Sequence, residues 1–97
     1  MRTRYLLCYD VSNEERLRRT AKVAETFGYR LQYSVFICDL SDVERIRLER
    51  DLRRVLDLDD DRALLVNLGP SGDSPAKRFH WVTQARSASE SGGPTIV

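Results

Sequence analysis

The 97-residue chain has room for one domain, and a domain of this size removes only about 60–65% of its unfolded surface from water. Its formal net charge of +1 excludes a strongly basic protein, yet 14 of its 16 cationic residues are arginine, whose planar guanidinium suits phosphate. No stretch approaches the ~20 apolar residues of a membrane span, and the N-terminus lacks a signal-peptide core. We therefore expect a cytoplasmic protein that does not bind membranes.

The first apolar run, Tyr5 to Tyr9, ends at an acidic residue, Asp10. Ser12 and Glu15 then form the S-x-x-E pattern of a capping box, which predicts a helix over about 13–27. Asp10 thus lies at the carboxyl end of a strand, where α/β proteins tend to bind ligands. Because Ser12 is the predicted cap, we expect the Asp10 carboxylate to be available for another role. The alternative is that it only helps to start the helix.

The run from Tyr29 to Leu40 alternates between two faces, and the alternation alone predicts one strand. Arg30, Gln32 and Ser34 then share a face and offer hydrogen-bond donors to a phosphate backbone. Arg16, Arg18 and Arg19 near the start of the first helix are further candidates for nucleic-acid binding. For most arginines of the chain the alternative is a solvated helix surface.

The second half begins with another capping box, Ser41 to Glu44, ahead of a helix with the apolar stripe Leu48, Leu52, Val55 and Leu56. Residues 57–61 are read as a solvated acidic turn and not as a calcium loop, because Arg62 stands where that loop needs glycine. A buried strand over 63–68 and a further strand over 79–82 are predicted next. We assign residues 1–85 to one domain and 86–97 to a flexible tail. The end of this tail, 94–97, either frays or pairs with a neighbouring sheet edge.

A repeated pattern organises the chain, because the strand, acid, cap and helix around Asp10 return 29 residues later around Asp39. Two such units indicate an α+β, ferredoxin-like βαββαβ fold with an antiparallel sheet and an extra C-terminal strand. Asp39 itself is interpreted as structural. The strands carry apolar residues on both faces, although helices cover only one face of such a sheet. We infer that a second copy covers the other face, giving a two-fold homodimer.

Hydrolytic chemistry has one route in this sequence. It contains no Ser-His-Asp or Cys-His spacing, no glycine-rich phosphate loop and no CxxC, and the single histidine, His80, is read as structural. A metal-activated water remains. Magnesium needs only one or two carboxylates besides water and phosphate oxygens, so two copies of Asp10 in a symmetric dimer would meet its needs.

The segment Tyr9-Asp10-Val11-Ser12, the arginine-rich first helix and the run Arg30-Leu31-Gln32-Tyr33-Ser34-Val35-Phe36 resemble CRISPR-associated protein two, over roughly residues 3–68. This resemblance implies a ferredoxin-like homodimer with its sheets packed face to face. It implies Mg²⁺, with Mn²⁺ as the alternative, bound at the dimer seam by the catalytic Asp10. It further implies roles for Arg19 and Arg30, with Tyr9 and Phe36 in support. Two short strands bent near Ser34, and a C-terminal segment crossing to the other subunit, are also implied.

Two functions from different classes follow from the resemblance. The leading hypothesis is a metal-dependent endonuclease of CRISPR spacer acquisition that cuts single-stranded RNA, double-stranded DNA or both. Arg19 and Arg30 would position the backbone, and Asp10 would hold the ion that activates water. The alternative is a non-catalytic adaptor that positions duplex DNA between subunits of the CRISPR integrase. An RNA-cleaving toxin of similar fold is a third reading.

Overall fold

The fold is a four-stranded antiparallel sheet with two helices, as a computed structural model describes it for residues 1–74 and 77–83. The elements are β1 (Thr3–Asp10), α1 (Glu14–Phe27), β2 (Tyr29–Gln32), β3 (Val35–Leu40), α2 (Asp42–Val55) and β4 (Arg62–Pro70). The strand order β2-β3-β1-β4 confirms the predicted ferredoxin-like βαββαβ topology. The predicted domain boundary at 85 and the tail 86–97 lie outside the described residues.

The two helices differ in how they begin. Ser41 caps α2 as predicted, because its hydroxyl accepts the Glu44 N–H at 3.2 Å while the Glu44 carboxylate accepts the Ser41 N–H at 2.9 Å. The predicted cap of α1 is wrong by one residue, since Asn13 and not Ser12 accepts the backbone N–H of Arg16, at 2.9 Å. Asparagine caps a helix as well as serine does, so the pattern alone could not choose between them.

The single strand predicted over 29–40 is wrong, and the bend implied by the family resemblance is confirmed. The chain reverses at Ser34, which has a φ of +64°, and β2 pairs back onto β3 with Arg30 opposite Phe36. The alternation of apolar and polar residues continues unbroken through a tight hairpin, so this two-residue pattern cannot reveal where the chain turns. The predicted row of donors is therefore broken. Ser34 lies in the turn, and a register irregularity separates Gln32 from Arg30.

The core lies between the helices and one face of the sheet. Tyr5, Leu7 and Tyr9 of β1 point to this face, because side chains alternate along a strand. They pack with residues of the neighbouring elements in one cluster, whose other buried members are Val11, Ala24, Phe36, Cys38, Leu40, Leu48 and Leu52. Among the described residues, neither helix has the length and apolar character that crossing a bilayer requires.

The opposite, helix-free face carries Leu6 and Cys8 of β1, which pair in register with Val66 and Leu64 of β4. We call this surface the open face. The strand predicted over 63–68 is present, but the prediction that it is buried is wrong, because Leu64 is 60% and Val66 37% exposed. β4 is an edge strand in the sheet of one chain, which leaves it uncovered. The strands thus have the two apolar faces from which a dimer was inferred.

The strand predicted over 79–82 is also wrong. In the described part of the chain, these residues form no strand, and Val82 is 99% exposed. A strand needs backbone partners on both sides or at a sheet edge, and an apolar run by itself supplies none. The predicted extra C-terminal strand is not found within residues 77–83, and the rest of that segment lies outside the described residues.

Candidate metal and nucleic-acid site

Asp10 is the last residue of β1, and its side chain is exposed. It alternates with the buried Tyr9 and therefore points to the open face, the same side as Leu6 and Cys8. Arg62 of β4 lies opposite it in register. Within residues 1–74 and 77–83, the Asp10 carboxylate makes no hydrogen bond and no ion pair. It is thus a solvent-exposed acid without a partner in the described part of the chain, on the face where a second copy is expected.

The metal-ligating capacity of one chain is small. No group of three or more His, Cys, Asp or Glu side chains among the described residues comes together in a way that could hold a metal ion. This excludes, for the described part, a closed site of the zinc type, which takes four protein ligands. So few ligating side chains can still hold a magnesium ion, because this ion keeps several waters and needs only one or two carboxylates. Asp10 from each of two chains fits that requirement.

An aromatic and arginine cluster adjoins the end of β1. The rings of Tyr9 and Phe36 stack with centroids 6.1 Å apart, and the Arg30 guanidinium lies 5.1 Å from the Phe36 centroid and 6.0 Å from that of Tyr33. Only 16% of the Arg30 side chain is exposed, and its nearest carboxylate, Glu25, is 3.8 Å away. We call these four residues, Tyr9, Arg30, Tyr33 and Phe36, the aromatic cluster. It holds the arginine in a defined position.

Tyr9 anchors this cluster to the strand that carries Asp10. Its backbone N–H donates to the carbonyl of Ser34 at 3.1 Å, which ties the β2–β3 turn to the end of β1. Burial raises the pKa of the Tyr9 phenol, while the nearby Arg30 charge opposes the rise. The phenol is therefore neutral near pH 7 and can act there as a hydrogen-bond donor but not as a base.

The three arginines predicted on α1 fall into two groups. Arg18 and Arg19 are exposed and pair only with Glu15 on the same helix, which leaves them accessible to phosphate. Arg16 instead donates two hydrogen bonds to Asp61, in the turn before β4. This pair gives Arg16 a structural function, and its predicted binding of nucleic acid stays a prediction.

Asp61 is a residue that sequence reasoning missed. Its side chain is fully buried, although the acidic turn was read as solvated. The available signal was its position directly before a strand, but the three other aspartates of the same turn concealed it. Asp57, Asp59 and Asp60 do form a turn, in which the Asp57 carboxylate accepts the backbone N–H groups of Asp59 and Asp60.

Asp39, the counterpart of Asp10 in the repeated pattern, has a different environment. Its carboxylate accepts a hydrogen bond from Arg4 Nε at 2.9 Å and another from the Ser71 hydroxyl at 2.8 Å. Partial burial would raise the pKa of Asp39, but these two partners lower it below its ordinary value. These contacts support the structural interpretation of Asp39. They also distinguish it from Asp10, whose carboxylate has no such partners.

Comparison with known proteins agrees with the sequence resemblance. The family described as "CRISPR associated protein Cas2" matches residues 1–74. The "CRISPR-associated endoribonuclease Cas2" of Geobacter sulfurreducens is 36% identical over 67 residues, which cover 69% of this chain and 70% of that protein. The "CRISPR-associated endoribonuclease Cas2 2" of Thermodesulfovibrio yellowstonii is 41% identical over 56 residues, or 58% of this chain. This chain spans 62% of that protein's length.

Solved structures share the fold. Streptococcus pyogenes Cas2 superposes with a TM-score of 0.72 at 28% identity, covering 82% of this chain and 99% of that one. A chain from a structure described as "Partial Cas6-RT-Cas1--Cas2 complex" has the same fold at a TM-score of 0.60 and 24% identity, covering 82% and 90%. The family match extends over the whole sheet and both helices, including Asp10 and the aromatic cluster. This chain therefore belongs to the CRISPR associated protein Cas2 family.

Proposed function

We propose that this chain is a metal-dependent endoribonuclease of CRISPR adaptation that works as a two-fold dimer. The observation that carries the proposal is the exposed Asp10 carboxylate, which ends β1 on the open face and has no partner among the described residues. The relatives from Geobacter and Thermodesulfovibrio carry the name endoribonuclease, which supports the same activity here. Such an enzyme would work in the cell interior, together with cellular RNA and DNA.

Asp10 from each chain would bind the ion, which would be Mg²⁺ or, alternatively, Mn²⁺. A bound divalent ion supplies a nucleophilic water at neutral pH and stabilises the charge that develops on the phosphorus oxygens. Arg18 and Arg19 would bind the flanking phosphates, because both are exposed on the first turns of α1. Arg30, held between two aromatic rings, would orient the strand with less loss of side-chain entropy than a free arginine. Gln32 and Ser34 stay predicted phosphate donors, although the register irregularity and the turn separate them from Arg30.

The dimer follows from the open face. Leu6, Cys8, Leu64 and Val66 form an apolar surface on that face, and a second copy related by a two-fold axis would cover it with the same residues. The two Asp10 carboxylates would then lie at the same interface. Beside the β4 edge, a groove of about 410 Å³ is lined by Leu52, Leu56, Leu58 and Leu65 among others.

The CRISPR integrase is the proposed protein partner, because a protein of the same fold occurs in a complex whose description includes Cas1. A second candidate function, an adaptor that binds duplex DNA for this integrase and cuts nothing, is favoured by one observation. The described part of the chain brings no three His, Cys, Asp or Glu side chains together for an ion, whereas it exposes several arginines on α1 and α2. An adaptor would need those arginines and could lose Asp10 without consequence.

Cleavage of labelled single-stranded RNA and double-stranded DNA by wild type and Asp10→Asn distinguishes the two functions. Asp60→Asn is the matched control, because Asp60 is an exposed carboxylate of the acidic turn. We expect cutting in Mg²⁺ or Mn²⁺, none with chelator, and a loss of about 100-fold or more in Asp10→Asn alone, since an ion contributes several kcal/mol. Retained duplex binding without cutting by any variant would replace the nuclease with the adaptor.

A further inference from the structure

Tyr33 is an aromatic residue on the surface of a tight turn. Tyr33 is 55% exposed, although the other three residues of the aromatic cluster are mostly covered. The next residue, Ser34, has a φ of +64°, a conformation that costs a non-glycine residue free energy. Strain of this kind concentrates where a side chain must be held in a functional position. The turn that holds this uncommon φ also leaves Tyr33 exposed to solvent.

Arg30 determines what this ring can bind. Its guanidinium lies 6.0 Å from the Tyr33 centroid and 5.1 Å from that of Phe36, so the arginine bridges the buried ring and the exposed one. The nearest carboxylate, on Glu25, is 3.8 Å away and 59% exposed, which neutralises the charge only weakly. A positive group beside an exposed ring is the combination that binds a nucleotide, since the ring stacks on the base and the cation attracts the phosphate.

The turn that carries Tyr33 is attached to the strand that ends at Asp10. The hydrogen bond from Tyr9 N–H to the Ser34 carbonyl holds the turn at the end of β1. Tyr33 and Asp10 are each next in sequence to one of these two bonded residues. The turn and the end of β1 are therefore joined, with Arg30 on the helix side of the sheet and Asp10 on the open face.

We propose that Tyr33 is a substrate-positioning residue that stacks on one unpaired base of single-stranded RNA, while Arg30 binds an adjacent phosphate. This inference rests on the proposed endoribonuclease function and adds to it a residue that contacts the substrate base. Bases in a duplex already stack on their neighbours, so only an unpaired base has a free face for Tyr33. Tyr33 thereby favours single-stranded over double-stranded substrate.

Equilibrium binding of two short RNAs tests the stacking. One carries 2-aminopurine, whose fluorescence reports stacking, and the other is a sugar-phosphate chain of equal length without bases. Both are measured with chelator present, in wild type, Tyr33→Ala and Tyr33→Phe. We expect Tyr33→Ala to weaken binding of the base-containing RNA by about tenfold, and Tyr33→Phe to bind like wild type, because one stacked base contributes ~1–3 kcal/mol. Binding of the baseless chain should be equal in all three proteins.

Tyr29→Ala is the matched control, because Tyr29 is 50% exposed and pairs with Ile37, on the opposite face of β2 from Arg30 and Phe36. It should leave the 2-aminopurine signal unchanged. The stacking would be overturned if Tyr33→Ala bound the 2-aminopurine RNA as tightly as wild type does. It would also be overturned if Tyr33→Ala lost the same factor in affinity for the 2-aminopurine RNA and for the baseless chain. The binding assay is independent of the cleavage assay proposed above. A Tyr33-dependent fluorescence signal in a protein that does not cut RNA would refute only the nuclease function. Cleavage of RNA without a Tyr33-dependent signal would refute only the stacking.

Discussion

Arg16 and Asp61 join the first turns of α1 to the start of β4. Arg16 Nε lies 2.7 Å from Asp61 Oδ2, and its Nη2 lies 3.2 Å from Oδ1, a two-point contact that matches the planar guanidinium to the carboxylate. Asp61 also accepts the backbone N–H of Asp57 at 2.8 Å. Because Asp61 directly precedes Arg62, the residue opposite Asp10, the pair fixes the strand edge beside the candidate metal ligand.

The first prediction concerns this pair. Asp61→Asn should lower the midpoint of urea denaturation and leave its slope unchanged, because the amide keeps the shape of the side chain but removes the charge that Arg16 binds. Asp60→Asn, in the same turn but exposed, should have little effect. Chemical denaturation followed by circular dichroism measures both. Equal midpoints for the two variants would show that the Arg16 contact contributes nothing to stability.

The same pair gives a pH dependence. The Arg16 hydrogen bonds, with the Asp57 N–H, hold the pKa of Asp61 below its ordinary value. A carboxyl whose pKa is lowered by folding stabilises the fold above its unfolded pKa of about 3.9, and this stabilisation is lost as pH falls through the folded pKa. The difference between wild type and Asp61→Asn should therefore be constant from about pH 5 to 8 and should shrink below about pH 4. A difference that grew towards low pH would contradict this assignment.

The second prediction concerns Gly28, which follows α1. Its φ of −166° is extended backbone that any residue can adopt, so the backbone conformation does not require a glycine here. A Cβ at this position would overlap the Ile37 carbonyl oxygen and lie 2.6 Å from Cys38 Sγ, in the core strand β3. Gly28→Ala should therefore destabilise the fold by about 1–3 kcal/mol, as overpacking does.

Gly72→Ala is its control, because a Cβ there would have no atom within 4 Å. Thermal or urea denaturation of both variants measures the difference. A Gly28→Ala protein as stable as Gly72→Ala would mean that α1 and β3 can separate at no cost, which the burial of Ala24 and Cys38 argues against.

The helices and the strand topology could be predicted from local signals. Capping boxes, apolar stripes and the repeated unit around Asp10 and Asp39 are each encoded within about a dozen residues. The turn at Ser34 could not be found from alternation, because both arms of a hairpin have the same period. It entered through the family resemblance, whose R-x-Q-Y-S-V-F run spans the turn.

The position of the candidate ligand was predictable, but the contacts of the residues around it were not. Asp10 follows from the end of a strand, a local feature. The burial of Asp61 depends on Arg16, 45 residues away in sequence, and the packing of Arg30 depends on a hairpin that brings Phe36 opposite it. Contacts between distant residues leave no periodic trace in a single sequence. The exposure of Leu64 and Val66 was missed for the same reason, because an apolar strand reads alike whether its own helices or another chain covers it.

The last prediction uses that exposure to test the dimer. Leu64→Lys places a charge on the open face, and two-fold symmetry would bury two such charges in one interface. We expect the dimer dissociation constant to rise by about 100-fold or more, because each lost leucine removes ~1.5–3 kcal/mol of burial and each buried lysine adds a cost. Ile46→Lys is the control, since Ile46 is 57% exposed on α2, on the helix side of the molecule. Sedimentation velocity across protein concentrations measures both. If Ile46→Lys dissociates the dimer and Leu64→Lys does not, the subunits meet through α2, and the two Asp10 carboxylates would not share a metal ion.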